Sequence, residues 1–176
     1  MSKPLKFLDT SIGFREVPDE ISLLINVTNC QYRCPGCHSP ELQEDAGKIL
    51  DIEALKGLLL KYVGHSNNPI TCVTFLGDGD NLNDLGRLIE YCHYKGYLTC
   101  LYTGSTNIYN AVVASRGTLD YIKIGQYIKE KGALDNPNTN QKFYKINHLQ
   151  LKDGTQNGWT LQDLTYKFHR NELNKH

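Results

Sequence analysis

Four short runs of branched and aromatic residues recur along the chain: Ile21-Ser22-Leu23-Leu24-Ile25-Asn26-Val27, Ile70 to Leu76, Tyr97 to Tyr102, and Leu119 to Ile124. Apolar runs of that length suit strands buried on both faces of a parallel sheet. Between them the period changes to that of a helix. Asp51 caps a stretch with Ile52, Leu55, Leu59 and Tyr62 on one face, and Gly64 to Pro69 ends it. A second helix from about Asn83 carries Leu85, Leu88, Ile89 and Cys92 inward and stops near Gly96. A third, around Ile108, Ala111 and Val112, ends at Gly117.

Strand–helix units of this kind wind right-handed into a parallel sheet, and ligand sites gather where the carboxyl ends of the strands pass into loops. An eight-unit barrel takes about 250 residues, so a shorter chain has room for roughly five units. The expected fold is therefore α/β: an incomplete TIM-like barrel of parallel strands with flanking helices, open enough to admit a macromolecular substrate.

Residues 1–176 read as a single domain with its core at about 20–150. Residues 125–141 are polar and rich in asparagine, with Gly132 and Pro137, and read as a long surface loop of the kind that is often functional. A strand is expected at Phe143 to Ile146. In the tail, residues 151–176, a helix is expected from Thr160 with Leu161, Leu164 and Phe168 facing inward.

Formal net charge is zero and the histidines are scattered, so nothing marks a nucleic-acid or membrane surface. Asp9, Arg15, Glu16, Asp19 and Glu20 interrupt the first twenty residues, leaving no apolar signal core, and a cytoplasmic location is expected. In a reducing compartment six cysteines serve as ligands and core thiols rather than as a disulfide framework. Cys72, Cys92 and Cys100 fall on inward strand or helix positions and read as core thiols.

The other three lie close together in Asn29-Cys30-Gln31-Tyr32-Arg33-Cys34-Pro35-Gly36-Cys37-His38, two residues beyond the first strand. A four-iron cubane held by three thiolates keeps one iron open to an outside ligand. Two other readings stand beside it: a zinc site completed by His38 or His65, and unmetallated thiols on a loop.

At these residues the chain resembles the radical S-adenosylmethionine enzymes. Pro35-Gly36 before the third cysteine, where most relatives carry an aromatic residue, makes it similar to the activators of the anaerobic ribonucleoside-triphosphate reductase. Leu101-Tyr102-Thr103-Gly104 and Thr139-Asn140-Gln141-Lys142 are similar to segments of the same activators.

The resemblance implies a [4Fe-4S] cluster on Cys30, Cys34 and Cys37, and S-adenosyl-L-methionine bound near Gly36, Cys37, His38, Gly77, Asp78 and Gly79. It implies reductive cleavage of that cofactor to a 5'-deoxyadenosyl radical, which takes a hydrogen from a glycine of the reductase's large subunit. A reduced electron donor such as flavodoxin is the other implied partner, and no protein acid or base is needed.

The chain departs from the family where Gly-Gly-Glu or Gly-Gly-Asp normally holds the methionine amino group. Here the segment reads Gly77-Asp78-Gly79-Asp80, so either Asp78 or Asp80 takes that role. His38 either touches the cofactor or is a plain loop residue, and Arg33 either pairs with a carboxylate or faces solvent. The rival functions are activation of a formate-lyase-type glycyl-radical protein, a zinc-stabilised binding module, and electron transfer by a cluster closed with a fourth ligand such as His38.

Overall fold

The computed structural model describes residues 3–63, 70–150 and 156–169. The expected break at Gly64 to Pro69, His65 and the end of the tail lie outside them. The strands are β1 (Lys6–Gly13), β2 (Ser22–Val27), β3 (Lys48–Ile49), β4 (Cys72–Leu76), β5 (Leu98–Tyr102), β6 (Tyr121–Ile124), β7 (Lys142–Gln150) and β8 (Gln156–Asp163). The helices are α1 (Ile52–Val63), α2 (Leu82–Tyr94) and α3 (Ile108–Ala114).

All eight strands form one open sheet in the order β3-β1-β2-β4-β5-β6-β7-β8. The four expected strands, β2, β4, β5 and β6, are its parallel centre. Antiparallel strands flank them: β1 and β3 beside β2, β7 and β8 beside β6. The architecture is mixed α/β, and the parallel pairing expected throughout is confined to the middle.

Local chemistry explains the helix starts. Asp51 Oδ1 accepts from the Ala54 amide at 2.8 Å, and Asn81 and Asn107 cap α2 and α3 in the same way. Strand alternation then divides the core in two. Leu23, Ile25, Val73, Phe75, Leu101 and Ile122 pack with Leu55, Leu85, Ile89 and Ala111 from the helices. Their strand neighbours Cys72, Cys100 and Tyr121 turn the other way, toward Val17, Leu134, Phe143 and Leu164. Loops rather than helices cover that second face.

The helix expected from Thr160 is a strand instead. β8 pairs antiparallel with β7 through Ile146↔Leu161 and Lys145↔Gln162, and only the following turn, Thr165–Phe168, is helical. Gly158 at φ +112° and the β-formers Trp159 and Thr160 suit the extended chain, and pairing with β7 overrides the local helical spacing. Leu164 is buried as expected, whereas Leu161 is 38% exposed.

α2 and α3 approach each other through Gly86. A Cβ at that position would lie 2.1 Å from the Ala114 carbonyl oxygen, a backbone atom that cannot rotate away. Alanine would gain about 1 kcal/mol of helix propensity, less than the overpacking cost of about 1–3 kcal/mol plus displacement of α3. Gly86→Ala is expected to lower stability by about 2 kcal/mol in urea denaturation, and an unchanged midpoint would contradict the close approach.

At the amino ends of β5 and β6, Asp120 Oδ2 accepts from the Thr99 amide at 2.8 Å and lies 3.1 Å from the Thr99 hydroxyl. Burial pushes this carboxyl up from its ordinary 3.8, against the pull of those donors. The folded chain therefore keeps the proton to a higher pH than the unfolded chain, and stability falls as pH rises through that interval. Asp120→Asn lacks this term while keeping an acceptor for Thr99. Its stability relative to the native chain should rise as pH goes from below 4 to 7, as chemical denaturation at the two ends would show.

Candidate functional site at the carboxyl ends of the parallel strands

The cysteine loop leaves β2 and is pinned at its start by the Asn29 and Cys30 amides, which donate to the carbonyls of Glu44 and Leu42 at 2.9 Å. The residue before each cysteine has a positive φ: Asn29 at 62°, Arg33 at 47° and Gly36 at 72°. Each such turn tips the next peptide, a backbone form that gathers amide hydrogens into concave anion sites. The amides of Tyr32 and Arg33 bond the Cys30 sulfur and favour its thiolate, although burial pushes the thiol up overall. The Ser39 amide donates to Cys37 Sγ at 3.4 Å.

Cys30, Cys34 and Cys37 line one cavity of about 560 Å³. Its walls come from the ends of all four parallel strands, including Gly77, Asp78, Thr103, Gly104 and Lys123. Among the described residues, no three His, Cys, Asp or Glu side chains are grouped as around a single metal ion.

After β4 the chain turns sharply through Gly77 and Gly79. Both have positive φ, and a Cβ on Gly77 would lie 2.9 Å from the Val27 carbonyl oxygen, a position that only glycine fills without strain. The turn carries Asp78 inward and leaves Asp80 exposed. Asp78 is 9% exposed; its Oδ2 accepts from Thr103 Oγ1 at 2.5 Å and from the Tyr32 hydroxyl at 3.1 Å. Its Oδ1 is buried with no hydrogen-bond partner. Burial raises the Asp78 carboxyl, and the two hydroxyl donors act against that rise. A second cavity of about 310 Å³, lined in part by Asp80, shares Tyr32, Asp78 and Thr103 with the first.

Lys123 reaches the large cavity from β6, on the face shared with Tyr121, and donates to the Gly125 carbonyl at 2.8 Å. Burial pushes its ammonium down to about 8, while the three cysteines and Asp78 pull the other way. The polar loop closes over this end of the sheet. Tyr127 stacks at a tilt on His38 with ring centroids 4.7 Å apart, and a Cβ on Gly36 would be 3.9 Å from the Tyr127 ring. Arg33 is exposed and its guanidinium donates to the Gln43 carbonyl at 3.4 Å.

The structure thus gathers Cys30, Cys34, Cys37, His38, Gly77 and Asp78 around the large cavity, sets Gly79 on the smaller one, and leaves Gly36 beside Tyr127 and Lys129. Sequence reasoning missed Tyr32, Thr103, Lys123 and Tyr127. Only Lys123 left a usable trace, as a lone charge inside an apolar strand run. Cys72, Cys92 and Cys100 are fully buried, as expected. No protein-family model, curated protein or solved structure matches the chain.

Proposed function

We propose that the chain is a radical S-adenosylmethionine enzyme whose four parallel strands are the core of an incomplete TIM-like barrel. Within that class, the reading favoured is the activating protein of the anaerobic ribonucleoside-triphosphate reductase, which installs a glycyl radical on the large subunit. One observation carries it: three thiols, a buried carboxylate with a free oxygen and a partly buried ammonium meet in one cavity at the carboxyl ends of the strands.

The donor chemistry fits both cofactors. Cys30, Cys34 and Cys37 would hold a [4Fe-4S] cluster with one iron open, and the amides directed at Cys30 and Cys37 favour thiolates. Asp78 Oδ1 would accept from the methionine ammonium of S-adenosylmethionine, and Lys123 offers a cation for its carboxylate. When bound, this pair supplies the electron and the carbon radical that removes a hydrogen atom. The protein's residues bind and orient. The loop joining Tyr127 to His38 limits access of water and oxygen at this end of the sheet. A reduced flavodoxin-type donor supplies the electron.

Anaerobic reconstitution with iron and sulfide tests this. After dithionite reduction the paramagnetic resonance signal should shift when S-adenosylmethionine is added, and 5'-deoxyadenosine should accumulate. Incubation with the reductase large subunit should then give a glycyl-radical doublet, and a formate-lyase-type protein should not. An iron-loaded protein showing neither shift nor nucleoside would overturn the reading in favour of a closed electron-transfer cluster. A colourless protein holding one zinc would overturn it in favour of a binding module.

A further inference from the structure

The carboxylate of Asp78 is held unevenly, and the unevenness has a structural source. Both of its side-chain donors bond the same oxygen, Oδ2: Thr103 from the end of β5 at 2.5 Å, and Tyr32 from the cysteine loop at 3.1 Å. The Ser105 amide donates to Thr103 Oγ1 at 2.9 Å, so that hydroxyl's only proton is directed to Asp78. Tyr32 is fixed in turn by its ring, which lies so close to Gly104 that a Cβ there would be 2.5 Å from Tyr32 Cγ. Oδ1 is left buried and unpartnered in a wall common to both cavities.

We propose that Tyr32 and Thr103 are positioning residues for ligand binding: together they lock Asp78 Oδ2 so that Oδ1 is presented to a primary ammonium group. The assignment rests on the proposed function and adds to it the two residues that orient the anchor. A carboxylate free to rotate would share its donors between two oxygens and lose part of its bonding on meeting the ligand; one already locked keeps all three bonds at once. Tyr32 also stands two residues from both Cys30 and Cys34, so the same hydrogen bond ties the loop of the proposed cluster ligands to the ammonium anchor. The cost of leaving Oδ1 unpaired in the free protein is of the kind that binding sites retain.

The test uses reconstituted protein and four chains: native, Tyr32→Phe, Thr103→Val and Thr103→Ser. Iron content, melting temperature and S-adenosylmethionine affinity by anaerobic equilibrium dialysis are measured on each. Tyr32→Phe keeps the ring on Gly104, and Thr103→Val keeps the shape. Each should weaken binding by about tenfold, the worth of one hydrogen bond to a charged group, with iron and melting temperature unchanged. Thr103→Ser, which restores the hydroxyl, should bind within about twofold of the native chain. Native affinity in Tyr32→Phe and Thr103→Val would overturn the proposal while leaving the functional reading intact. So would a Thr103→Ser as weak as Thr103→Val, or a loss of iron or melting temperature in both single variants, since each assigns the hydroxyls to packing. An iron-loaded native protein with no affinity at all would instead remove the functional reading, and this proposal with it.

Discussion

Replacing Cys30, Cys34 or Cys37 singly by Ala is expected to reduce bound iron to near background after reconstitution and to abolish 5'-deoxyadenosine formation. With only three proposed protein thiolates on a four-iron cluster, losing one leaves two irons without a protein ligand, and the cluster is no longer held. The effect should leave the fold largely intact, because none of the three thiols is part of the apolar core and the loop is pinned by backbone bonds at Asn29 and Cys30. Cys72, Cys92 and Cys100 are the matched controls. All three are buried, and burial pushes Cys72 up to about 12, so they are inert thiols at neutral pH. Their Ala variants should retain full iron and cleavage activity and lose only the packing of one sulfur, about 1 kcal/mol of stability. Iron retained in full by any of the first three variants, or lost in one of the controls, would assign the cluster to other residues.

The centre of the sheet was legible because β2, β4, β5 and β6 are buried on both faces, which forces continuous apolar runs, and because Asp51 and the glycines at 96 and 117 punctuate the helices between them. The edges were not. In β1 only Phe7 and Gly13 are buried, so Lys6–Gly13 shows no clean alternation, and its place comes from pairing with β2. In β8, Leu161, Leu164 and Phe168 mimic a helical stripe, yet the hydrogen bonds to β7, more than ten residues away, decide the outcome. The site shows the same division. Three cysteines in one loop and a Gly-Asp-Gly-Asp turn are contiguous signals, so their approximate place could be read directly. Tyr32, Thr103 and Lys123 acquire meaning only when three strand ends converge. Nothing local to Thr103 announces that its hydroxyl meets a carboxylate twenty-five positions earlier.

Lys123→Met should stabilise the chain and weaken its cofactor chemistry together. In the unloaded protein the ammonium lies among apolar and backbone groups, and burial pushes it from 10.5 down to about 8. The unfolded chain keeps its proton to about 10.5, so between these two values the unfolded state binds more protons and the native chain gains stability as pH rises. At pH 7 the folded protein carries the cost of the buried charge, on the order of 1–3 kcal/mol. Methionine fills a similar volume without that cost, and the Gly125 carbonyl keeps the Gln141 side chain as a donor at 3.3 Å. The variant should therefore be more stable than the native chain at pH 7, and the gap should close between pH 8 and 10.5. Charge acts in the opposite direction on function. Cys30, Cys34, Cys37 and Asp78 all interact with this ammonium, so its loss disfavours thiolates, slows reconstitution and moves the reduction potential of a negatively charged cluster to more negative values. A variant that is more stable at pH 7, takes up less iron and requires a stronger reductant would show that Lys123 is kept at an energetic cost for the electrostatics of the cavity. If potential and iron uptake are native while stability rises, the lysine is a tolerated buried charge and the cavity draws its positive potential from elsewhere.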